Sequence, residues 1–350
     1  MITRRGGITM LVLRTFAALG AVTAALAAPA HAQITLTYSS WVPPTHHLTV
    51  WQANWAAQVE KATEGRVKFQ GLPKAPAAPP GTFDAVRDDL VDLSYVTASY
   101  TPARHLLPLM AELPGIADTA EVNSVAYSRV HWKYFQKYGE YKGVHLLGVW
   151  THGPGQMFTK RPVNGINDVR GLKIRTGGGI AEAVANAIGA SAFVKPAPES
   201  YELLNSGVAD GVFFPFESIV SFKLDTVLQQ ATVFPGGMYS SAFGFFMNED
   251  KWNKLSKKDQ AIIDKHSYEY AARSNGQSWD AADQKGIEAL KKANVKIVQA
   301  DPAFVAEVHK RSQPIIDDWV KKASDKYKLD ARKVLEEFRA EIKKITAERK

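Results

Sequence analysis

The sequence predicts an α/β protein of two domains, with one long helix late in the chain able to span both. Three observations carry this. Strand and helix patterns alternate through roughly the first 250 residues. Helical periodicity then runs almost unbroken from Ser256 to about Asn294, which is very long for a globular helix. The chain's 350 residues, less an N-terminal leader, suffice for two cores of ordinary size.

The leader is expected over residues 1–32. Arg4, Arg5 and Arg14 supply a basic start, Phe16 to Ala28 an apolar run, and Ala30-His31-Ala32 a small-x-small cleavage site. The mature chain then begins at Gln33. The run is shorter than the roughly 20 residues of a membrane span. Arg4-Arg5 resembles a twin-arginine signal, but Gly6-Gly7 follows where such a signal turns hydrophobic, which favours ordinary secretion. No later stretch is apolar enough to span, so a soluble periplasmic protein is expected. The chain has no cysteine, hence no disulfide, no thiol nucleophile and no cysteine-linked lipid.

The elements follow in order. Ile34 to Tyr38 alternates as a strand. Thr49-Val50-Trp51-Gln52 reads as a capping box opening a helix that buries Trp51, Trp55 and Val59 and ends at Gly65. Val67 and Phe69 start a strand, and four prolines stiffen the loop from Leu72 to Gly81. A short helix carries Phe83, Val86 and Leu90, followed by the strand Leu93 to Val96. A helix beyond Asp118 continues to about Tyr138, and Val144 to Trp150 reads as a strand buried on both faces. Next come the strand ending at Arg175, a helix from Ile180 to Ile188, and the strand Ala192 to Val194. A helix runs from Pro198 to Gly207, and strands follow at Val212 to Phe214 and Gly244 to Met247. After the long helix come a strand at Val295 to Val298 and helices from Pro302 and Asp330.

The segment richest in chemistry is Gly171-Leu172-Lys173-Ile174-Arg175-Thr176-Gly177-Gly178-Gly179. A strand delivers an arginine to its carboxyl end, where open α/β sheets place ligands. The planar guanidinium fork matches a carboxylate two-for-two. The glycines allow close backbone approach, and the following helix start adds positive dipole. This is the pattern of a small-anion receptor. The alternative is a surface arginine paired with a neighbouring Asp or Glu.

Other chemistries find little support. The net charge of +8, which falls by three with the leader's arginines, is spread along helix faces, with no basic patch interleaved with aromatics for nucleic acid. His46-His47 is an adjacent pair whose side chains diverge on a regular strand or helix, so it reads as structural or ligand-lining rather than metal-binding. The chain lacks a Gly-x-Ser-x-Gly elbow, a P-loop and a paired set of catalytic carboxylates. No catalytic residue, metal or cofactor is expected.

Several motifs at this spacing carry a resemblance. They are Leu90-Val91-Asp92-Leu93-Ser94-Tyr95, Val163 through Arg175, Ile188-Gly189-Ala190-Ser191, Pro198-Glu199-Ser200-Tyr201 and Gly207-Val208-Ala209-Asp210-Gly211. With the exported leader and the long late helix, the chain resembles the extracytoplasmic solute receptors of tripartite ATP-independent periplasmic (TRAP) transporters. The resemblance covers nearly all of the mature chain. It implies a two-lobed α/β periplasmic binding protein, type II-like, that closes on an organic acid and hands it to small and large membrane subunits. Lobe I would hold 33–152 and 241–280, and lobe II 153–240 and 281–320. The long helix from about Lys257 would span both, and 321–350 would form a C-terminal helical segment.

The family's ligand arginine falls on Arg175. Many sialic-acid and dicarboxylate receptors carry a second arginine about twenty residues earlier; here Gly155 stands there, beside Gln156. Where those relatives have an asparagine after the Asp-Gly turn, this chain has Phe214, then Pro215 and Phe216. Both departures make a drier pocket, suited to a monocarboxylate with an apolar or aromatic body. Arg175 would hold the carboxylate, Trp41, Phe214, Phe216 and Tyr239 would form walls, and Thr97 and Gln156 would orient the ligand. Plain core packing is the alternative for Phe214 and Phe216. Some members of the family bridge their ligand with a cation, for which Glu217 or Gln156 would serve. Trp41 and Trp150 would lie near the cleft and report binding. The rival readings are a receptor for an ATP-driven importer or a sensor, a secreted α/β enzyme acting on organic acids, and a scaffold dimerising through the C-terminal helices.

Overall fold

The computed structural model describes Ile2 and residues 33–349. The expected leader, Ile2 apart, lies outside the described residues. The first half contains β1 (Ile34–Tyr38), α1 (His47–Ala62), β2 (Val67–Gly71), α2 (Thr82–Arg87), β3 (Leu93–Thr97), α3 (Ala120–Val130), β4 (Val144–Thr151), β5 (Gln156–Thr159), α4 (Ile166–Val169) and β6 (Lys173–Thr176). There follow α5 (Gly179–Ala187), β7 (Ser191–Val194), α6 (Ser200–Asn205), β8 (Gly211–Phe214), α7 (Phe216–Ser221), β9 (Gln230–Val233) and β10 (Ala242–Asn248). The chain closes with α8 (Glu249–Lys254), α9 (Lys257–Lys265), α10 (Tyr268–Lys292), β11 (Lys296–Gln299), α11 (Pro302–Tyr327) and α12 (Ala331–Glu348).

The described residues form two sheets, one per lobe. The first has the order β2-β1-β3-β10-β4, and the second β11-β9-β5-β8-β6-β7. Each is mostly parallel with one reversed strand: β10 runs antiparallel to β3 and β4, and β5 antiparallel to β8 and β9. Every residue of β3 and β10 is buried, as helices on both faces require. The chain crosses between the sheets after β4, returns before β10, and crosses again along α10 to reach β11. An isolated bridge between Gly155 and Tyr239 ties the first two crossings together. Among the described residues no helix is long and apolar enough to cross a membrane.

Helix α10 serves both lobes. Its Asp280 carboxylate accepts the backbone N–H groups of Ala120 (2.7 Å) and Glu121 (3.2 Å), at the start of α3 over the first sheet. One turn on, Asp283 accepts the N–H of Glu217 (2.8 Å), at the start of α7 beyond the second sheet. Each carboxylate thus caps a helix of a different lobe. Two interior glycines let α10 sit that close. A Cβ on Gly276 would lie 2.5 Å from Glu121 Cα, and one on Gly286 2.6 Å from the Phe216 carbonyl oxygen.

Four elements depart from expectation. The long helix starts at Tyr268 rather than near Lys257, because Trp55 Nε1–H donates to the His266 carbonyl (2.7 Å) and Tyr268 turns left-handed (φ 55°). Neither Gly nor Pro marks that break. The capping box at Thr49 does not form: His46 caps α1, its Nδ1 accepting from Leu48 N–H (3.2 Å), while Thr49 donates to Pro43 O (3.1 Å). Helix α2 stops at Arg87, leaving Leu90 exposed. The helix after Asp118 passes at His131 into a π turn and then a 3-10 turn, which Gly139 ends with φ 68°. Strands β5 and β9, four residues each, are not anticipated from the sequence.

Candidate functional site

The carboxyl ends of β3, β6 and β8 converge on a cavity between the lobes, the position where α/β sheets bind ligands. The first lobe contributes Trp41, His46, Thr97, Ser99, Tyr100 and Phe243. The second contributes Arg175, Phe214, Ser218 and Phe222. The two crossings add His152, Tyr239 and Ser241, and α10 adds Trp279.

Arg175 is the cavity's cation. The strand register of β6 pairs it with Val212 and Phe193, so it stands at the sheet's end, yet it is only 2 % exposed. Its Nε–H (3.0 Å) and Nη2–H (2.6 Å) both donate to the Lys195 carbonyl, and its Cζ lies 4.5 Å from the centre of the Phe214 ring. The surface-pair alternative does not hold: Glu199, the acid next to hand, pairs instead with Lys195 (3.3 Å). Burial draws the Arg175 pKa below its ordinary value, and the Tyr100 and Tyr239 hydroxyls oppose that shift. A guanidinium stays charged under such a shift. Among the described residues this buried cation has only neutral hydrogen-bonding partners, the Lys195 carbonyl and the Tyr100 hydroxyl, and no paired carboxylate, so an acid's carboxylate would complete it.

Aromatic rings close the rest. Phe214 stacks on Phe222 with centroids 5.6 Å apart, and Trp41 lies 5.6 Å from Tyr100 while its Nε1–H donates to Tyr95 O (3.0 Å). Tyr239 donates its hydroxyl to Phe213 O (3.0 Å). Its ring fills the space that a side chain at residue 155 would need: a Cβ on Gly155 would lie 2.1 Å from Tyr239 Cε1. A small polar edge remains, where the Thr97 and Ser99 hydroxyls lie 3.0 Å apart. His152 is kept neutral by burial, its pKa lowered to about 4.

Of the residues singled out in the sequence, Arg175, Trp41, Thr97, Phe214 and Tyr239 meet at this cavity. Gln156 and Phe216 do not. The Gln156 amide is consumed by the Phe234 backbone, donating to its carbonyl (3.2 Å) and accepting its N–H (2.7 Å). The turn at Pro215 swings Phe216 away from Phe214, and its ring packs edge-on against Phe158 with centroids 5.4 Å apart. Trp150 also stands off the cavity, fully buried against Trp51 (4.8 Å) and Phe245 (5.4 Å). Gly178 and Gly179 admit the first lobe rather than a ligand: Cβ atoms there would lie 3.0 Å from Ser99 O and 3.2 Å from Ser99 Cα. The strand-end rule reaches Tyr100, just past β3. Nothing local reveals Trp279, which lies in mid-helix.

The histidine pair corrects a second expectation. His46 caps α1 with extended backbone and His47 is the first helical residue, so their rings face one way, 5.0 Å apart. Glu217 of α7 closes the group, with Oε2 3.1 Å from His46 Nε2. Burial alone would raise the Glu217 pKa, but His46, His47 and the Ser221 hydroxyl hold it down at about 2.

Beneath the cavity Glu112 is fully buried against the start of α5. Its Oε1 accepts from the Ser99 hydroxyl (2.9 Å) and Ala242 N–H (3.0 Å). Burial outweighs these bonds and lifts its pKa to about 8. An acid raised on folding contributes stability that is complete below its unfolded pKa, near 4.5, and is lost as pH rises through about 8. The Glu112→Gln variant should therefore gain on the wild type in melting temperature, by several degrees, between pH 5 and pH 8.5. Parallel melting curves across that range would instead indicate a carboxyl already ionised at pH 5.

Comparison with known proteins agrees with this architecture. Residues 38–323 match the family described as bacterial extracellular solute-binding protein, family 7. The chain is 30% identical over 310 residues, 88% of its length and 91% of the relative's, to the outer membrane transporter protein TsaT of Comamonas testosteroni. It is similar to the crystal structure of a TRAP periplasmic solute binding protein from Bordetella bronchiseptica with bound (R)-mandelate and (S)-mandelate. That match has 46% identity and a TM-score of 0.87, and covers 89% of this chain and 99% of that one. A marine metagenome TRAP solute binding protein specific for aromatic acid ligands, in complex with metahydroxyphenylacetate, matches at 27% identity and TM-score 0.84. There 89% of this chain and 99% of the other are covered.

Proposed function

The chain belongs to family 7 of the bacterial extracellular solute-binding proteins, the solute receptors of TRAP transporters, and we propose that it captures a monocarboxylate with an aromatic body. One observation carries the reading: among the described residues, a single buried guanidinium with no paired carboxylate, set among aromatic rings, with Tyr239 where a second arginine would have to enter. The Bordetella receptor with bound mandelate and the marine receptor with bound metahydroxyphenylacetate support it.

In this reading Arg175 clamps the carboxylate against the Phe214 face, Trp41, Phe214 and Tyr239 enclose the ring, and Thr97 orients a polar substituent. Residues 33–152 with 241–280 and 153–240 with 281–320 act as the closing lobes, and 321–350 as a C-terminal helical segment. The receptor works in the periplasm after removal of a leader at 1–32, and delivers its cargo to a small and a large membrane subunit. Closure follows from differential affinity: the acid favours the closed form only by what it gains from touching both lobes.

Thermal denaturation of the purified protein against a panel of acids tests this. Mandelate, phenylacetate and benzoate are expected to raise the melting temperature by several degrees near saturation, and succinate and malate by little. Stabilisation by the dicarboxylates alone would sink the one-arginine pocket. The same titrations followed by intrinsic fluorescence should show a signal that Trp41→Phe and Trp279→Phe each reduce and Trp150→Phe leaves intact. The reverse pattern would place the ligand elsewhere.

A further inference from the structure

We propose that His46, His47 and Glu217 form a binding site for a divalent transition-metal ion of zinc-like preference, joining the first lobe to the second. The candidate ligand atoms, two imidazole nitrogens and a carboxylate oxygen, all lie within 4.8 Å of one another. Two imidazoles and a carboxylate suit zinc and its neighbours in the first transition row, and suit magnesium or calcium poorly. A tetrahedral zinc site separates its ligand atoms by about 3.4 Å, so a contraction of up to about 1.4 Å by these side chains completes the set.

The surroundings prepare the site. His47 is held by Ser278, whose hydroxyl lies 3.2 Å from Nδ1. With its proton on Nδ1 that ring carries a lone pair on Nε2, and His47 Nε2 is buried with no hydrogen-bond partner among the described residues, which leaves it free to ligate. Edge contact with Trp279, at 3.8 Å between centroids, fixes the plane of the His47 ring. Glu217 supplies the negative charge, and its second oxygen accepts from the Ser221 hydroxyl. His46 ligates through Nε2, so its proton moves to Nδ1 and the cap to Leu48 N–H is given up.

Access and consequence follow from position. His47 and Glu217 also line an outer groove with Trp51, Ser221 and Ser278, through which the ion enters and where a water completes its coordination. His46 and His47 belong to the start of α1 and Glu217 to α7, so all three ligands meet only when the lobes are together. The ion therefore stabilises the closed arrangement without any organic acid present.

Calorimetric titration of the purified protein with zinc chloride alone, in a buffer without chelators, tests the proposal. One ion per chain should bind with a micromolar or tighter Kd and raise the melting temperature. His47→Ala should weaken binding at least about 100-fold, and His309→Ala, in an exposed histidine of α11, should leave it unchanged. Metal-free melting of His47→Ala shows whether the fold survives; should it not, Glu217→Gln is read the same way. Wild-type affinity in both variants, or no binding by the native protein below 1 mM zinc, overturns the site. Because no acid is present, either result leaves the carboxylate reading standing on its own test.

Discussion

Arg175→Lys is expected to lower affinity for an aromatic monocarboxylate such as mandelate by at least about 100-fold, a loss of about 2.7 kcal/mol. The guanidinium does two things at once. Its Nε and Nη2 are anchored on the Lys195 carbonyl, and the rest of the same rigid plane remains to meet a carboxylate across the Phe214 ring. Lysine brings one point charge on a flexible stem and cannot serve both partners in a fixed plane. Isothermal titration of the variant measures the effect, and retention of wild-type affinity would make Arg175 a structural residue. Melting in the absence of the acid should show only a small loss of stability, because Arg175 has no paired carboxylate among the described residues.

Gly286→Ala should destabilise the protein by about 2 to 3 kcal/mol, against the usual trend for helices. In an open helix interior, replacing glycine by alanine gains about 1 kcal/mol. At residue 286 the new Cβ would lie 2.6 Å from Phe216 O, 2.7 Å from Phe216 C and 2.9 Å from Glu217 N. All three are backbone atoms at the capped start of α7, so relief requires moving α7 away from α10. That motion would break the Asp283 cap and carry Glu217 away from His46. Denaturant unfolding gives the sign directly; a more stable variant would show that the helix contact yields.

Much of this could be read in the chain. The alternation of strands and helices, the burial of the strand from Leu147 to Trp150 and the placing of Arg175 at a strand's end all follow from local pattern, while His145 and Leu146 at the strand's start stay half-buried. So does the resemblance to a TRAP receptor, which rests on short motifs in order. The absence of a second arginine at Gly155 was equally legible, since it is a matter of residue identity.

What occupies the space at Gly155 was not. Tyr239 reaches it only because the two crossings pair through a single bridge, and that pairing has no local signature. Gln156 looked like a free donor until Phe234, 78 positions on, took both ends of its amide. His46 and His47 looked divergent until the cap geometry of α1 turned them together and α7 brought Glu217 to them. The break between α9 and α10 was set by Trp55, through its bond to the His266 carbonyl across 211 positions. The division has a physical reason. Periodicity and turn chemistry act over one or two turns of chain and settle backbone conformation and which face is buried. A hydrogen-bonding or ligating side chain is committed by whichever partner the packed lobes bring within about 3 Å, and only the tertiary structure decides that.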